Sequence, residues 1–394
     1  MISKKMENLG KNRSVIREIF EYGNKRRAEI GSENVFDFSL GNPSIPAPKS
    51  VSDRMIKLLS ETDPVALHGY TSAQGAPSVR KAIADDINKR FNINATPDLL
   101  YMTCGAAASL TISLTALIND GDEVIALAPF FPEYRVFSEK AGAVFKVVKC
   151  RESDFQIDFD ALAKEIGKNT KAIIINSPNN PSGVVLSEST IKQLSELLNK
   201  KSREYKRDIF IIADEPYREL VYGDTVVPYI PQYYDNTLVC YSFSKSLSLP
   251  GERIGYIFVS PRVHNATDVY AAVCGAGRAL GFVCAPSLLQ FTVAESLGQT
   301  SDISVYEKNR NLLYDALTKY GFKLVKPEGA FYLFMKSPEA DANAFCEKAK
   351  KYELLLVPSD DFGFEGYIRI SYCVKTEMIE KSLESFKKLS EEYR

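Results

Sequence analysis

Six short apolar runs punctuate the middle of the chain: DEVIALA (122–128), VFKVVK (144–149), KAIIIN (171–176), DIFIIAD (208–214), TLVCYS (237–242) and GYIFVS (255–260). Most are β-branched and apolar throughout, the pattern of strands covered on both faces. Helix-length stretches separate several of them, such as the amphipathic, charge-rich 187–203. The alternation predicts an α/β fold with a mostly parallel sheet flanked by helices.

Towards the C-terminus the rhythm changes. Residues 301–321 read as a long amphipathic helix closed by Gly321. Short strands follow (FKLV, AFYLFM, LLLV, YIRIS), with further helices at about 340–351 and 376–393. This is the pattern of a smaller α+β domain. A polar N-terminal helix at about 13–29 is expected to lie outside the main core. The expected division is an N-terminal segment 1–49 joining the small domain, a large domain 50–285, and a small C-terminal domain 286–394.

Composition narrows the function. With 45% hydrophobic residues the chain buries a sizeable core, and 49 basic against 50 acidic residues, without a basic block, argue against nucleic acid or an anionic membrane as partner. Seven scattered cysteines and two histidines, without a C-x-x-C pair, give no zinc or disulfide framework. No apolar run is long enough to span a bilayer. The expectation is a soluble cytoplasmic protein with no metal site.

Ligands of such sheets sit beyond the carboxyl ends of the strands. Asn176–Gly183, Asp214–Tyr217 and Ser242–Lys245 each follow a strand run and are unusually polar. Taken singly, each has a plain reading as turn chemistry. Gly105 with Ala106 and Ala107 opens an apolar helix (104–118); the stretch either lets the helix pack closely or offers free N–H groups to an anion. Asn180, before Pro181, is a turn former or an amide donor aimed into the crevice. Asp214 is an N-cap, or a partly buried carboxylate in need of a cationic or N–H partner.

The stretch YSFSKSLSLPGERIGY (241–256) sets Lys245 among three serine hydroxyls, eight residues before Arg253. A lysine in a desolvated pocket beside another cation is lowered in pKa and becomes an amine nucleophile. A strand-end carboxylate, an anion cradle, a lysine and an arginine are the inventory of a pyridoxal 5′-phosphate site.

From SLGNPSIPAP near residue 40 to GYIRISY near 370, with NNPSG, DEPY and SFSKSLSLPGERIGY in order between, the chain resembles the class I/II aminotransferases of pyridoxal-phosphate fold type I. The resemblance implies a seven-stranded sheet, a large domain that binds the cofactor, and a homodimer with shared active sites. It makes Lys245 the residue that binds the cofactor covalently and then shuttles the substrate proton. Asp214 would pair with the ring nitrogen, Asn180 and Tyr217 with the phenolic oxygen, and Phe131 would stack on the ring. Gly105, Ala106, Ala107, Ser242 and Arg253 would hold the phosphate, joined by Tyr70 of the neighbouring subunit. Arg369 would clamp the substrate α-carboxylate, and Gly41 and Asn180 would approach the substrate.

Two departures stand out. Ala106–Ala107 replaces polar side chains common near the phosphate, although the N–H groups remain. Arg278, in GAGRALGF, is out of register with the arginine that reads a second carboxylate in aspartate-type enzymes; it either binds an acidic side chain or is structural. The implied activity is transfer of an amino group from an L-amino acid to a 2-oxo acid by a ping-pong route. A C–S lyase or aminocyclopropane carboxylate synthase-like enzyme shares the cofactor residues, and a non-catalytic sensor is a further alternative.

Overall fold

The computed structural model describes residues 2–11 and 14–393. The expected N-terminal helix runs Val15–Ile30 there, and the expected start at position 13 lies outside the described residues. It is followed by β1 (Phe36–Asp37), which pairs in parallel with a strand more than three hundred residues later.

The large sheet contains β2 (Leu100–Thr103), β3 (Glu123–Ala128), β4 (Val144–Lys149), β5 (Thr170–Asn176), β6 (Phe210–Asp214), β7 (Thr237–Ser242) and β8 (Gly255–Val259). Their order is β2-β8-β7-β6-β5-β3-β4, parallel from β7 to β4, with β8 antiparallel to both neighbours. Each apolar run splits its side chains between two layers. Ile173 and Ile175 face one core cluster while Ala172 and Ile174 face the other. This two-sided burial is why the runs carry almost no polar residues, and each fully buried isoleucine contributes about 1.5–3 kcal/mol. β2 completes the seven; its four residues, LYMT, lack the β-branched run that marks the rest.

The smaller sheet has the order β12-β13-β10-β9, from β9 (Lys323–Leu324), β10 (Tyr332–Lys336), β12 (Val357–Pro358) and β13 (Tyr367–Ser371). β11 (Leu354–Leu355) is the parallel partner of β1. The helices Ser304–Lys319, Ala342–Ala349 and Thr376–Glu391 pack here around Phe331, Phe345 and Phe386. The helix Ser287–Ala294, which the sequence reading assigned to the small domain, instead sends Leu289 and Val293 into the cluster beneath the large sheet. The N-terminal helix packs on a satellite cluster of Ile19, Val35, Leu355, Val357 and Phe362, away from the main core.

Candidate active site

The floor of the site is a row of strand ends. β5 and β6 run level, so Asn176 pairs in register with Asp214, and Ser242 ends the next strand along. Asn176 Nδ2 donates to the Asp214 carbonyl at 2.9 Å, and its Oδ1 accepts from the backbone N–H of Asn180 at 2.7 Å. The Tyr134 hydroxyl donates to Asp214 Oδ2 at 2.5 Å, while Oδ1 is buried with no hydrogen-bond partner among the described residues. Burial pushes this carboxyl up to about 7; the Tyr134 hydrogen bond opposes the shift and the neighbouring Glu215 charge adds to it. Asp214 caps none of the described helices, and it lines the cleft.

Beyond β7 the chain makes a single helical turn, Phe243–Ser246, capped by Ser242, which projects Lys245 over the row. Its Nζ donates to the Gly41 carbonyl at 2.8 Å and lies 5.4 Å from the Phe331 ring centroid. Burial lowers this amine to about 8; the Cys373 thiol works in the opposite direction, and Arg253 and Arg369 lower it further. Gly41 admits no side chain, since a Cβ there would lie 2.0 Å from the Tyr332 hydroxyl.

On one side of Lys245 lies an anion cradle. Gly105 (φ +85°) turns the chain from β2 into the helix Ala106–Leu117, whose first N–H groups have no partner within the helix. Arg253 packs against the bare Cα of Gly105, so closely that a Cβ would sit 2.9 Å from its Nη2. The guanidinium is tethered by Nη1 to the Pro250 carbonyl at 3.0 Å. A helix N-terminus, a guanidinium and the Ser242 and Ser244 hydroxyls together suit a phosphate.

On the other side is Arg369, on β13 and only 2% exposed. Its Nη1 donates to Asn180 Oδ1 at 3.3 Å, its Nη2 to the Ser39 carbonyl, and its Nε has no partner among the described residues. Rings hold the guanidinium plane, with Tyr332 at 4.9 Å and Phe362 at 5.2 Å. The Tyr217 and Tyr332 hydroxyls meet at 3.0 Å, and burial raises both phenols, Tyr332 to about 12. Between the two anion positions is a cavity of about 310 Å³. An amine that is partly neutral near pH 7 thus stands between two anion sites, above a carboxylate with a bare oxygen.

The chain matches, over residues 33–386, the family model described as aminotransferase class I and II. The chain belongs to that family. A solved aminotransferase from Eubacterium rectale is 57% identical, with a TM-score of 0.98, 100% of this chain and 99% of that one being covered. The probable aspartate aminotransferase of Methanocaldococcus jannaschii is 31% identical over 99% of this chain and 100% of its own length. The aspartate aminotransferase of Thermotoga maritima is 30% identical, over 97% and 95% respectively.

As a class I/II aminotransferase the protein moves an amino group from an L-amino acid to a 2-oxo acid, and its family uses pyridoxal phosphate. Of the residues expected from sequence, Gly41, Ala106, Ala107, Phe131, Asn180, Asp214, Tyr217, Ser242, Lys245, Arg253 and Arg369 line one cleft of this aminotransferase. Gly105 stands directly behind Arg253. Tyr70 lies outside this cleft and is 100% exposed. Arg278 is exposed in the last turn of the helix Ala266–Leu280, also outside this cleft.

Three residues escaped sequence reasoning. Tyr134 follows Phe131 by three positions at the start of the helix Glu133–Lys140, a spacing that could have flagged it. Tyr332 reads as one apolar strand residue among several, and only the pairing of β10 with β13 brings it beside Arg369. Ile16 belongs to a helix that the polar pattern set apart, yet it lines the cleft.

Proposed function

We propose that the cleft holds pyridoxal phosphate through Lys245 and carries out transamination of L-amino acids on it. The observation that carries the reading is the bare Oδ1 of the cleft-lining Asp214, a buried carboxylate oxygen that has no donor among the described residues. A protonated ring nitrogen of the cofactor would supply that donor. The anion cradle at Gly105, Ala106, Ala107, Ser242 and Arg253 fits the phosphate, Phe131 offers a ring face, and Asn180 and Tyr217 fit the phenolic oxygen. When bound, the cofactor supplies an aldehyde that condenses with amines and a cationic ring that withdraws electrons from the substrate Cα.

The chain's own residues do the rest. Lys245 Nζ, with its affinity for protons lowered by burial and two arginines, takes the proton from the substrate Cα as a general base. Asp214, ionised, would hold the positive charge on the ring nitrogen in place. Arg369 binds the α-carboxylate and thereby turns the Cα–H towards Lys245. Tyr217, linked to Tyr332, and Asn180, linked to Arg369, tie the cofactor side of the cleft to the substrate side. The exposed Tyr70 supports a homodimer in which it reaches the phosphate of the neighbouring subunit.

The test loads the protein with pyridoxal phosphate, reduces it with borohydride and maps the modified peptide. Label on Lys245, with a visible band that single L-amino acids bleach without an acceptor, is expected. A label elsewhere would overturn the role of Lys245. A persistent band with release of ammonia or keto acid would assign a lyase instead.

A further inference from the structure

Among the described residues, the charged groups lining the cleft are Lys245, Arg253, Arg369 and Asp214. On the reading just given, on which this inference rests, each is committed: Lys245 to the aldehyde and the proton, Arg253 to the phosphate, Asp214 to the ring nitrogen, and Arg369 to the α-carboxylate. Among the described residues, no cation lining this cleft is left for a second carboxylate.

Beside Arg369 the wall is polar at Asn180 and at the Tyr217 and Tyr332 hydroxyls, and apolar at Leu40 and Ile16. Leu40 adjoins Ser39, whose carbonyl accepts from Arg369. Ile16 projects from the helix Val15–Ile30, which is seated tightly on the small sheet: a Cβ on Gly23 would lie 2.8 Å from Leu355 Cδ1. Ile16 packs against the cluster containing Phe362, and Phe362 lies under the Arg369 guanidinium. It therefore stands at the substrate end of the cleft, not the phosphate end. The phosphate end is itself lined by Ala106 and Ala107, whose methyls offer no charge.

We infer that the amino-acid substrate has an uncharged, apolar side chain, received by Ile16 and Leu40. An aspartate or glutamate side chain would bring a carboxylate into this wall without a counter-charge, and burying an unpaired ion is strongly unfavourable. A leucine, methionine or phenylalanine side chain loses only its hydration there and gains contact. This separates the chain from relatives whose names carry aspartate, the Methanocaldococcus jannaschii and Thermotoga maritima proteins among them.

The experiment follows bleaching of the visible band of the loaded enzyme by leucine, methionine, phenylalanine, aspartate and glutamate, with no acceptor. The expected result is bleaching at least about tenfold more efficient with one or more of the neutral amino acids than with either acidic one, and a shift of that ratio towards aspartate in Ile16→Arg. Aspartate or glutamate acting as well as every neutral amino acid overturns the inference while leaving transamination intact. Loss of that acidic activity in Arg278→Ala would then assign the second cation to the neighbouring subunit. Should no amino acid bleach the band, transamination fails, and unreactive acids read the wall directly through the band's shift on titration. Tighter binding of 4-methylpentanoate than of maleate supports an apolar wall; tighter binding of maleate overturns it.

Discussion

The Tyr134 hydroxyl satisfies one oxygen of Asp214 and leaves the other buried without a partner among the described residues. A single hydrogen bond thus restrains the upward shift that burial imposes on this carboxyl. Tyr134→Phe removes it, so the Asp214 pKa rises above about 7 and the ionised fraction at neutral pH falls. Cofactor affinity should drop by roughly tenfold at pH 7, as expected for loss of a charge-assisted hydrogen bond, and recover towards pH 9. Spectrophotometric titration with pyridoxal phosphate across pH 6–9 measures it. A uniform loss at every pH would mean that Tyr134 acts through packing alone.

The same carboxyl sets a stability trend. Its folded-state pKa is raised from 3.8 to about 7, so the folded protein binds this proton more tightly than the unfolded chain does. Its contribution to stability therefore declines as pH rises from about 4 to about 7, and the full penalty applies above that. In the cofactor-free protein Asp214→Asn should raise the melting temperature at pH 8 by several degrees, at roughly 1 °C per kcal/mol for a chain of 394 residues. The gain should shrink at pH 5. A gain independent of pH would assign the effect to something other than ionisation.

Lys245 is depressed from 10.5 to about 8, and the neutral amine is the nucleophile. The rate of covalent cofactor capture should climb with pH and level off just above 8, not near 10. Stopped-flow absorbance on the cofactor-free protein tests this. Lys245→Ala should bind pyridoxal phosphate without any borohydride-stable attachment.

Among the described residues Arg369 donates to neutral partners only, Asn180 and the Ser39 carbonyl. Arg369→Lys keeps the charge but loses the planar fork, so kcat/KM for amino acids should fall by about a hundredfold while the cofactor band stays unchanged. A matching loss of cofactor affinity would move Arg369 out of the substrate site.

If Tyr70 serves the neighbouring site, hybrids of Lys245→Ala and Tyr70→Phe subunits contain one site with both native residues. Mixing the two variants should restore about a quarter of wild-type activity, given random pairing in which half the dimers are hybrids with one intact site. Active-site titration of the mixture counts those sites. No gain on mixing would confine Tyr70 to its own protomer.

The apolar runs announced six of the seven strands of the large sheet because both faces of that sheet are buried. The strand ends then pointed to Asp214 and Lys245, whose residue types are costly to bury without a purpose. Tyr332 and Ile16 were less legible. Each looks like ordinary packing in its own segment, and each reaches the cleft only through contacts spanning the chain: Tyr332 by the pairing of β10 with β13, Ile16 by the seating of its helix on Leu355. The helix Ser287–Ala294 was misassigned for a similar reason, since its apolar face does not say which sheet will cover it.

Asn176, Asp214 and Ser242 end three adjacent parallel strands. Their lateral spacing is that of the hydrogen-bonded ladder, about 4.8 Å per strand, and owes nothing to the loops. A one-residue slip of any strand would turn its terminal side chain to the opposite face. Lengthening a connection at the far edge of the sheet would leave all three in place. Insertions and deletions in this lineage are therefore expected to collect in the outer connections, with the intervals from Asn176 to Asn180 and from Ser242 to Lys245 held constant in length.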